Sequence, residues 1–276
     1  MASFKARILI LCKTYPSPSG KHVETSCVAG LTEDKRLIRL FPVPFRLIND
    51  GKQFRKWQWI TARIEKAKGD HRPESHKIFV DTIECDPREL PTRNGWAARR
   101  AALAGMPVFD SFAALDQARE AEGQTLGVVK PHKILGLDIA PVDNAEWTPA
   151  EREKLEQNER QIGLFDSADQ KSLATLRKLP FSFYYRYESV VDGKLEQSRH
   201  KIADWEIGAL FWKCKQRYGD DWESPFRQKM VDDLTSKDLS FLMGTIHRFP
   251  DQWLIVSLIY PPKQEMPISG QQSLLL

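Results

Sequence analysis

Apolar positions in the first 85 residues recur at strand period or in short runs, at Ala6–Leu11, Thr25–Leu31, Leu37–Phe41 and Trp57–Ile64, with turn-rich stretches between them. Glu33-Asp34-Lys35-Arg36 predicts a hairpin turn. The pattern predicts a small twisted antiparallel sheet or partial barrel, with Pro42–Arg46 leaving its third strand. Helical spacing replaces strand spacing over Gly95–Glu122, broken near Gly105-Met106-Pro107 because proline cannot continue a helix. Strands are predicted at Leu126–Val129 and Ile134–Ile139. Thr148–Gln161 opens as Thr-Pro-x-Glu, which suits an N-cap with proline in the first helical position, and its body is almost wholly charged. An aromatic strand follows at Phe181–Tyr187, then a turn at Val191–Lys194 and a second run ending at Ile202. Helices are predicted over Asp204–Tyr218 and Glu223–Leu234, and strands at Leu239–Gly244 and Trp253–Tyr260.

This order predicts an α+β protein, with an N-terminal antiparallel β-rich domain packed on a C-terminal domain of antiparallel sheet plus helices. The expected divisions are a basic β-rich domain with a helical segment over 1–147, a charged helix or linker over 148–165, an α+β domain over 166–262 and a tail over 263–276. No internal repeat is evident.

A chain of 276 residues with 41% hydrophobic content rules out disorder throughout. Its longest apolar stretches, Ile8–Cys12 and Leu254–Ile259, fall far short of the roughly 20 residues that cross a bilayer. The apolar segment near the N-terminus ends at Lys13, with no small-residue cleavage site after it, so a cytoplasmic protein without a membrane partner is expected. Cys12, Cys27, Cys85 and Cys214 are too scattered for a zinc knuckle or a disulfide framework, and read as small buried hydrophobes. Neither a metal nor another cofactor is implied.

The net charge of +4 hides an asymmetry: residues 1–100 carry 20 basic and 11 acidic groups, residues 101–170 carry 6 and 13. A basic N-terminal portion suits a polyanion, since phosphate neutralisation by Lys and Arg supplies most nonspecific affinity for nucleic acid. A solvated charged surface is the competing reading.

Four side chains are nominated for chemistry. His200, Asp204 and Glu206 surround a strand-to-helix junction, and His247 follows Gly244-Thr245-Ile246 at the end of an apolar strand. If the last sheet packs on the helix that begins at Asp204, the two histidines would flank one cleft with carboxylates for hydrolysis. Asp204 would otherwise simply cap the helix, with Glu206 favouring its positive end. Lys13, Arg39, Arg46, Arg72 and Lys77 are candidate phosphate contacts, the last two from the ionisable segment Asp70–Lys77. Tyr184, among the aromatics of Phe181–Tyr187, and Trp205 are candidate stacking faces for an unstacked base, although strands favour aromatics anyway. The chain has no phosphate loop, dinucleotide fingerprint, nucleophile elbow or HExxH.

The ending Gln271-Gln272-Ser273-Leu274-Leu275-Leu276 resembles the short bacterial sliding-clamp-binding motif, with Gln271, Leu274 and Leu276 in the matching roles and Gln272 where that motif has Leu. Gln161–Phe165 resembles its five-residue form. KTYPSPSGKHVETSCVAG, IRLFPVPFR, HKIADWEIGAL and FLMGTIH resemble uncharacterised bacterial proteins encoded near mobile-element and phage-defence genes. These resemblances imply DNA and a sliding clamp as partners, and assign no catalytic residue. The expectation is a DNA-acting enzyme that flips an unusual or modified base and excises it in the manner of a glycosylase. The alternatives are a non-catalytic reader of modified or structured nucleic acid, and a metal-dependent nuclease using His200, Asp204, Glu206 and His247.

Overall fold

A computed structural model describes residues 2–19, 23–153, 155 and 176–264. The first half forms β1 (Phe4–Lys13), β2 (Ser17–Ser19), β3 (Val23–Thr32), β4 (Leu37–Val43), β5 (Trp59–Lys66), β6 (Ser75–Ile78) and β7 (Glu84–Cys85). Strands β1, β3, β4, β6 and β5 hydrogen-bond in that order, and β5 pairs back onto β1, which closes a five-stranded barrel. All these pairings are antiparallel except β4 with β6. The hairpin expected at Glu33–Arg36 joins β3 to β4, with Lys35 at φ 63°.

Helix α1 (Arg93–Leu103), strand β8 (Val108–Phe109) and helix α2 (Phe112–Glu122) lead into β9 (Leu126–Val129) and β10 (Lys133–Pro141). The chain continues through β11 (Phe181–Val191), β12 (Lys194–Ile202), α3 (Trp205–Tyr218), α4 (Glu223–Arg227) with a π-helical turn over Gln228–Asp233, β13 (Ser240–Ile246) and β14 (Phe249–Ile259). The second sheet runs β10-β11-β12-β14-β13-β9-β8, mostly antiparallel with parallel edges at β12/β14 and β8/β9. Asp192 and Gly193, at φ 48° and 76°, make the tight turn between β11 and β12 that a two-residue hairpin requires.

The expected division of the chain changes in one respect. Strands β8, β9 and β10, assigned from sequence to the N-terminal domain, belong to the second sheet, where β9 pairs with β13. All four residues of β9 are buried, so it needs a neighbour on each edge and cover on each face. Thr148 and Glu151 form the reciprocal N-terminal cap predicted for the charged helix, and residues 149–153 are helical. Gln161–Phe165 and the tail residues Gln271, Leu274 and Leu276 lie outside the described residues.

The sequence Ile8–Cys12 explains how the two halves join. Ile8 and Ile10 point into the barrel among Val28, Leu40, Ile60 and Ile64, while Leu9 and Leu11 point outward against Leu126, Val128, Leu242 and Val256 of the second sheet. A strand buried on both faces carries an unbroken apolar run rather than an alternating one. The opposite face of the second sheet packs on α3 and α4 through Phe183, Tyr185, Tyr187, Phe211 and Phe226. Each such fully buried side chain contributes roughly 1.5–3 kcal/mol relative to exposure, and the apolar interior divides into three clusters, within the barrel, between barrel and sheet, and between sheet and helices.

Candidate functional site

The seam between barrel and second sheet carries two cavities. The larger, about 840 Å³, is walled on the barrel side by Cys12, Thr25, Cys27, Arg39 and Phe41, and on the sheet side by Leu126, Val256 and the Gly244–Arg248 turn. It exists because β1 leaves the barrel at Thr14, which bridges to Asp204, while the Tyr15 amide donates to the Ala203 carbonyl at 2.9 Å. Below that bridge the two halves diverge. Gly244 permits the approach, since a Cβ there would lie 3.2 Å from an Arg39 guanidinium nitrogen and 3.0 Å from Leu126.

Two arginines nominated for phosphate contact instead brace this seam. Arg39 is 1% exposed and donates to the Thr125 carbonyl at 2.9 Å and to the Thr125 hydroxyl at 3.0 Å, with Glu74 nearby. Arg72 is 6% exposed, grips both Asp70 carboxylate oxygens and donates to the Thr245 carbonyl at 2.7 Å. Burial opposes ionisation of Asp70, but its bonds from Arg72 and Ser75 outweigh that and hold it well below the usual carboxylate range. Arg46 is also drawn inward, to buried Glu24 at 3.4 Å. Cations stand on the rim: Lys68 and Arg248 are exposed, and Lys77 is more than half exposed, 3.7 Å from Glu65 and 5.0 Å from the centre of the Phe79 ring. Phe41, on the same rim, is 43% exposed. Burial raises the Cys12 and Cys27 thiols, so both stay protonated near neutrality.

The smaller cavity, about 370 Å³, contains Lys13, Lys56, Asp204, Trp205 and Glu206. Asp204 is sealed at 3% exposure and caps α3, its Oδ1 accepting from the Glu206 amide at 2.8 Å. Its Oδ2 accepts from the Leu258 amide at 3.3 Å and lies 3.1 Å from the Ser257 hydroxyl and 3.6 Å from Lys56 Nζ. Lys56 donates to Glu206 at 2.9 Å, and its two carboxylate neighbours hold it charged although its side chain is largely buried. Lys13 sits 3.7 Å from the centre of the Phe45 ring with Trp205 and Phe54 around it, and burial lowers its pKa to about 8. It too is committed, donating to the Phe54 carbonyl.

The four residues expected to share one cleft are distributed over three places. Asp204 and Glu206 face Lys56. His200 lies on the helix-covered face of the second sheet, 3.0 Å from the Tyr187 hydroxyl and with its ring tilted 55° against Phe112 at 4.3 Å; burial lowers its pKa to about 4. His247 stands at the mouth of the larger cavity, its Nδ1 3.2 Å from Asp70. The aromatic strand is likewise core on one side: the Tyr185 hydroxyl donates to the Met230 carbonyl, while Tyr184 faces outward under Arg199 at 3.7 Å. Trp205 packs edge-on to Phe45 at 5.6 Å.

Residues 108–275 match a family model described as a domain of unknown function, DUF8757. The chain belongs to the DUF8757 family. A second model, domain of unknown function DUF8758, matches residues 4–105, so the DUF8757 region supplies the sheet wall of the larger cavity and the DUF8758 region its barrel wall. No curated protein matches the sequence. No helix among the described residues is long and apolar enough to cross a membrane.

The residues overlooked from sequence are those the fold converts into rim: Phe41, Lys68, Asp70, His71 and Arg248. The signal for Asp70 and His71 was the crowding of ionisable groups over Asp70–Lys77, which reads equally as an exposed loop; Phe41, Lys68 and Arg248 had none.

Proposed function

We propose that the chain is a nucleic-acid-binding protein, with DNA as its partner, that takes one unstacked base into the larger cavity. The observation that carries this reading is the cationic rim of the cavity: Lys68, Lys77 and Arg248 are exposed there, while Arg39 and Arg72 line its wall as buried braces paired with Glu74 and Asp70. A volume of about 840 Å³ lies within the roughly 300–1,000 Å³ typical of small-ligand sites, which is ample for a base and part of its sugar. Exposed Phe41 offers a stacking face, and the rim cations lie where flanking phosphates would run.

Recognition without excision is the better-supported form. Hydrolytic excision needs a carboxylate or imidazole free to meet water and sugar. Asp204 is spent on capping and on Lys56, Glu206 is held by Lys56, His200 is half-buried against Tyr187 and Phe112, and His247 is paired with Asp70. A phage-defence role and a sliding-clamp partner extend this reading through the sequence resemblances, and a cytoplasmic location through the short apolar stretches of the sequence.

The test is fluorescence anisotropy with labelled single strands and duplexes, some carrying a modified cytosine, at about 50 mM salt. Replacing both Lys77 and Arg248 by alanine is expected to weaken binding at least about tenfold and to flatten the salt dependence by about two phosphate equivalents. Phe41→Ala is expected to cost about 1–3 kcal/mol on single strands. Binding that ignores all three substitutions, or no binding to any of these probes, would overturn the assignment.

A further inference from the structure

We propose that Asp70, His71 and His247 form a binding site for one first-row divalent transition-metal ion at the mouth of the larger cavity. The three residues each offer a ligand atom, and these atoms lie within 4.8 Å of one another. They come from two segments far apart in sequence, the turn after β5 and the β13–β14 turn, which only the fold brings together. Two imidazoles and a carboxylate form a donor set suited to zinc, iron or nickel, and leave coordination positions open for water or a ligand oxygen.

The spacing fits an ion. His247 Nδ1 and Asp70 Oδ1 are 3.2 Å apart. Two ligands each about 2.1 Å from a common ion, at tetrahedral to octahedral angles, stand about 3.0–3.4 Å from each other. The His71 and His247 rings stack at 5.3 Å with 28° between their planes, so the second imidazole is already beside the first.

The surroundings behave as supports. Arg72 holds the Asp70 carboxylate through Nε and Nη2, and through Nη1 it holds the Thr245 carbonyl two residues before His247. One buried guanidinium therefore fixes both ligand-bearing segments, as the outer contacts of metal sites do. His71 and His247 are exposed, so an ion could enter directly from solvent, and Asp70 and His247 also line the cavity.

A plain hydrogen bond between Asp70 and His247 requires neither His71 nor a metal, which makes His71 the discriminating residue. The experiment is isothermal titration of untagged, full-length protein with Zn²⁺, with Co²⁺ absorption as a second readout. One ion per chain is expected. His71→Ala and His247→Ala, both at exposed positions, are each expected to weaken binding by more than the roughly 10–100-fold that follows loss of a mere supporting contact. Cys27→Ser, which removes the thiol nearest in the cavity lining, is expected to leave binding unchanged. Absence of saturable uptake, wild-type affinity in His71→Ala, or loss of binding in Cys27→Ser would each refute the site. No nucleic acid enters this titration, so its failure is distinct from failure of the proposed base-binding role.

Discussion

Asp204→Asn tests whether this carboxylate anchors the seam or serves chemistry. The amide is nearly isosteric, and Asn caps helices about as well as Asp, so the α3 cap survives. What changes is the other oxygen. Oδ2 faces the Leu258 amide, the Ser257 hydroxyl and Lys56, all within 3.6 Å, and an amide NH₂ placed there points a donor at donors. Removing one partner of a buried ion pair costs about 3–5 kcal/mol, and a buried N–H left unpaired costs about 1–3 kcal/mol. Lys56 keeps Glu206 at 2.9 Å, which lowers the first figure, and the two overlap. The expected net loss is about 3–4 kcal/mol, a fall in Tm on the order of 10 °C for a chain of this length. Glu206→Gln, whose side chain is half exposed, is expected to cost under about 1 kcal/mol. Urea unfolding followed by tryptophan fluorescence measures both. Adding Lys56→Met to Asp204→Asn is expected to restore part of the loss, because the uncompensated ammonium goes with it. If Asp204→Asn stays within about 1 kcal/mol of wild type, the anchoring argument fails.

Two further outcomes follow from individual groups. His200, whose pKa falls from 6.5 to about 4 on folding, binds fewer protons folded than unfolded between those values. Stability is therefore complete above pH 6.5 and declines as pH falls toward 4, by at most about 3 kcal/mol; urea midpoints at pH 7 and 5 should differ in wild type and much less in His200→Gln. Deleting Gln271–Leu276 is expected to weaken co-elution with a bacterial sliding clamp while leaving the urea midpoint unchanged, and undiminished co-elution would remove the tail motif.

The elements were legible because their signals are local. The run Ile8–Cys12, the Asp192-Gly193 turn and the Asp204 cap each specify their own conformation within a few residues. The allocation of β8–β10 to the second sheet was not legible, since the buried run Leu126–Val129 states that it needs partners without naming β13. The site suffered most. Asp204 and His247 each mark an element end, yet whether they share a cavity depends on sheet order and on which way β12 and β13 turn their side chains. Asp70 looked like one charge among many because its meaning comes from His247, 177 residues away.

The same dependence on partners revises the charge argument. A count of +9 over the first hundred residues treats every arginine as available to a polyanion, but Arg39, Arg46 and Arg72 are bound to Glu74, Glu24 and Asp70. Breaking those contacts to reach a phosphate would open the seam that forms the cavity, so the braces cannot double as grips. Among the described residues, Lys68, Lys77 and Arg248 remain on the rim. Three neutralised phosphates give a slope of log affinity against log salt near −2 to −3, whereas counting Arg39 and Arg72 as well would give about −3.5 to −4.5. Binding of this strength is too weak to hold DNA by charge alone, so under the proposed base-binding role the affinity would come from a base inside the cavity, and base identity would be the quantity that a reader of this geometry senses.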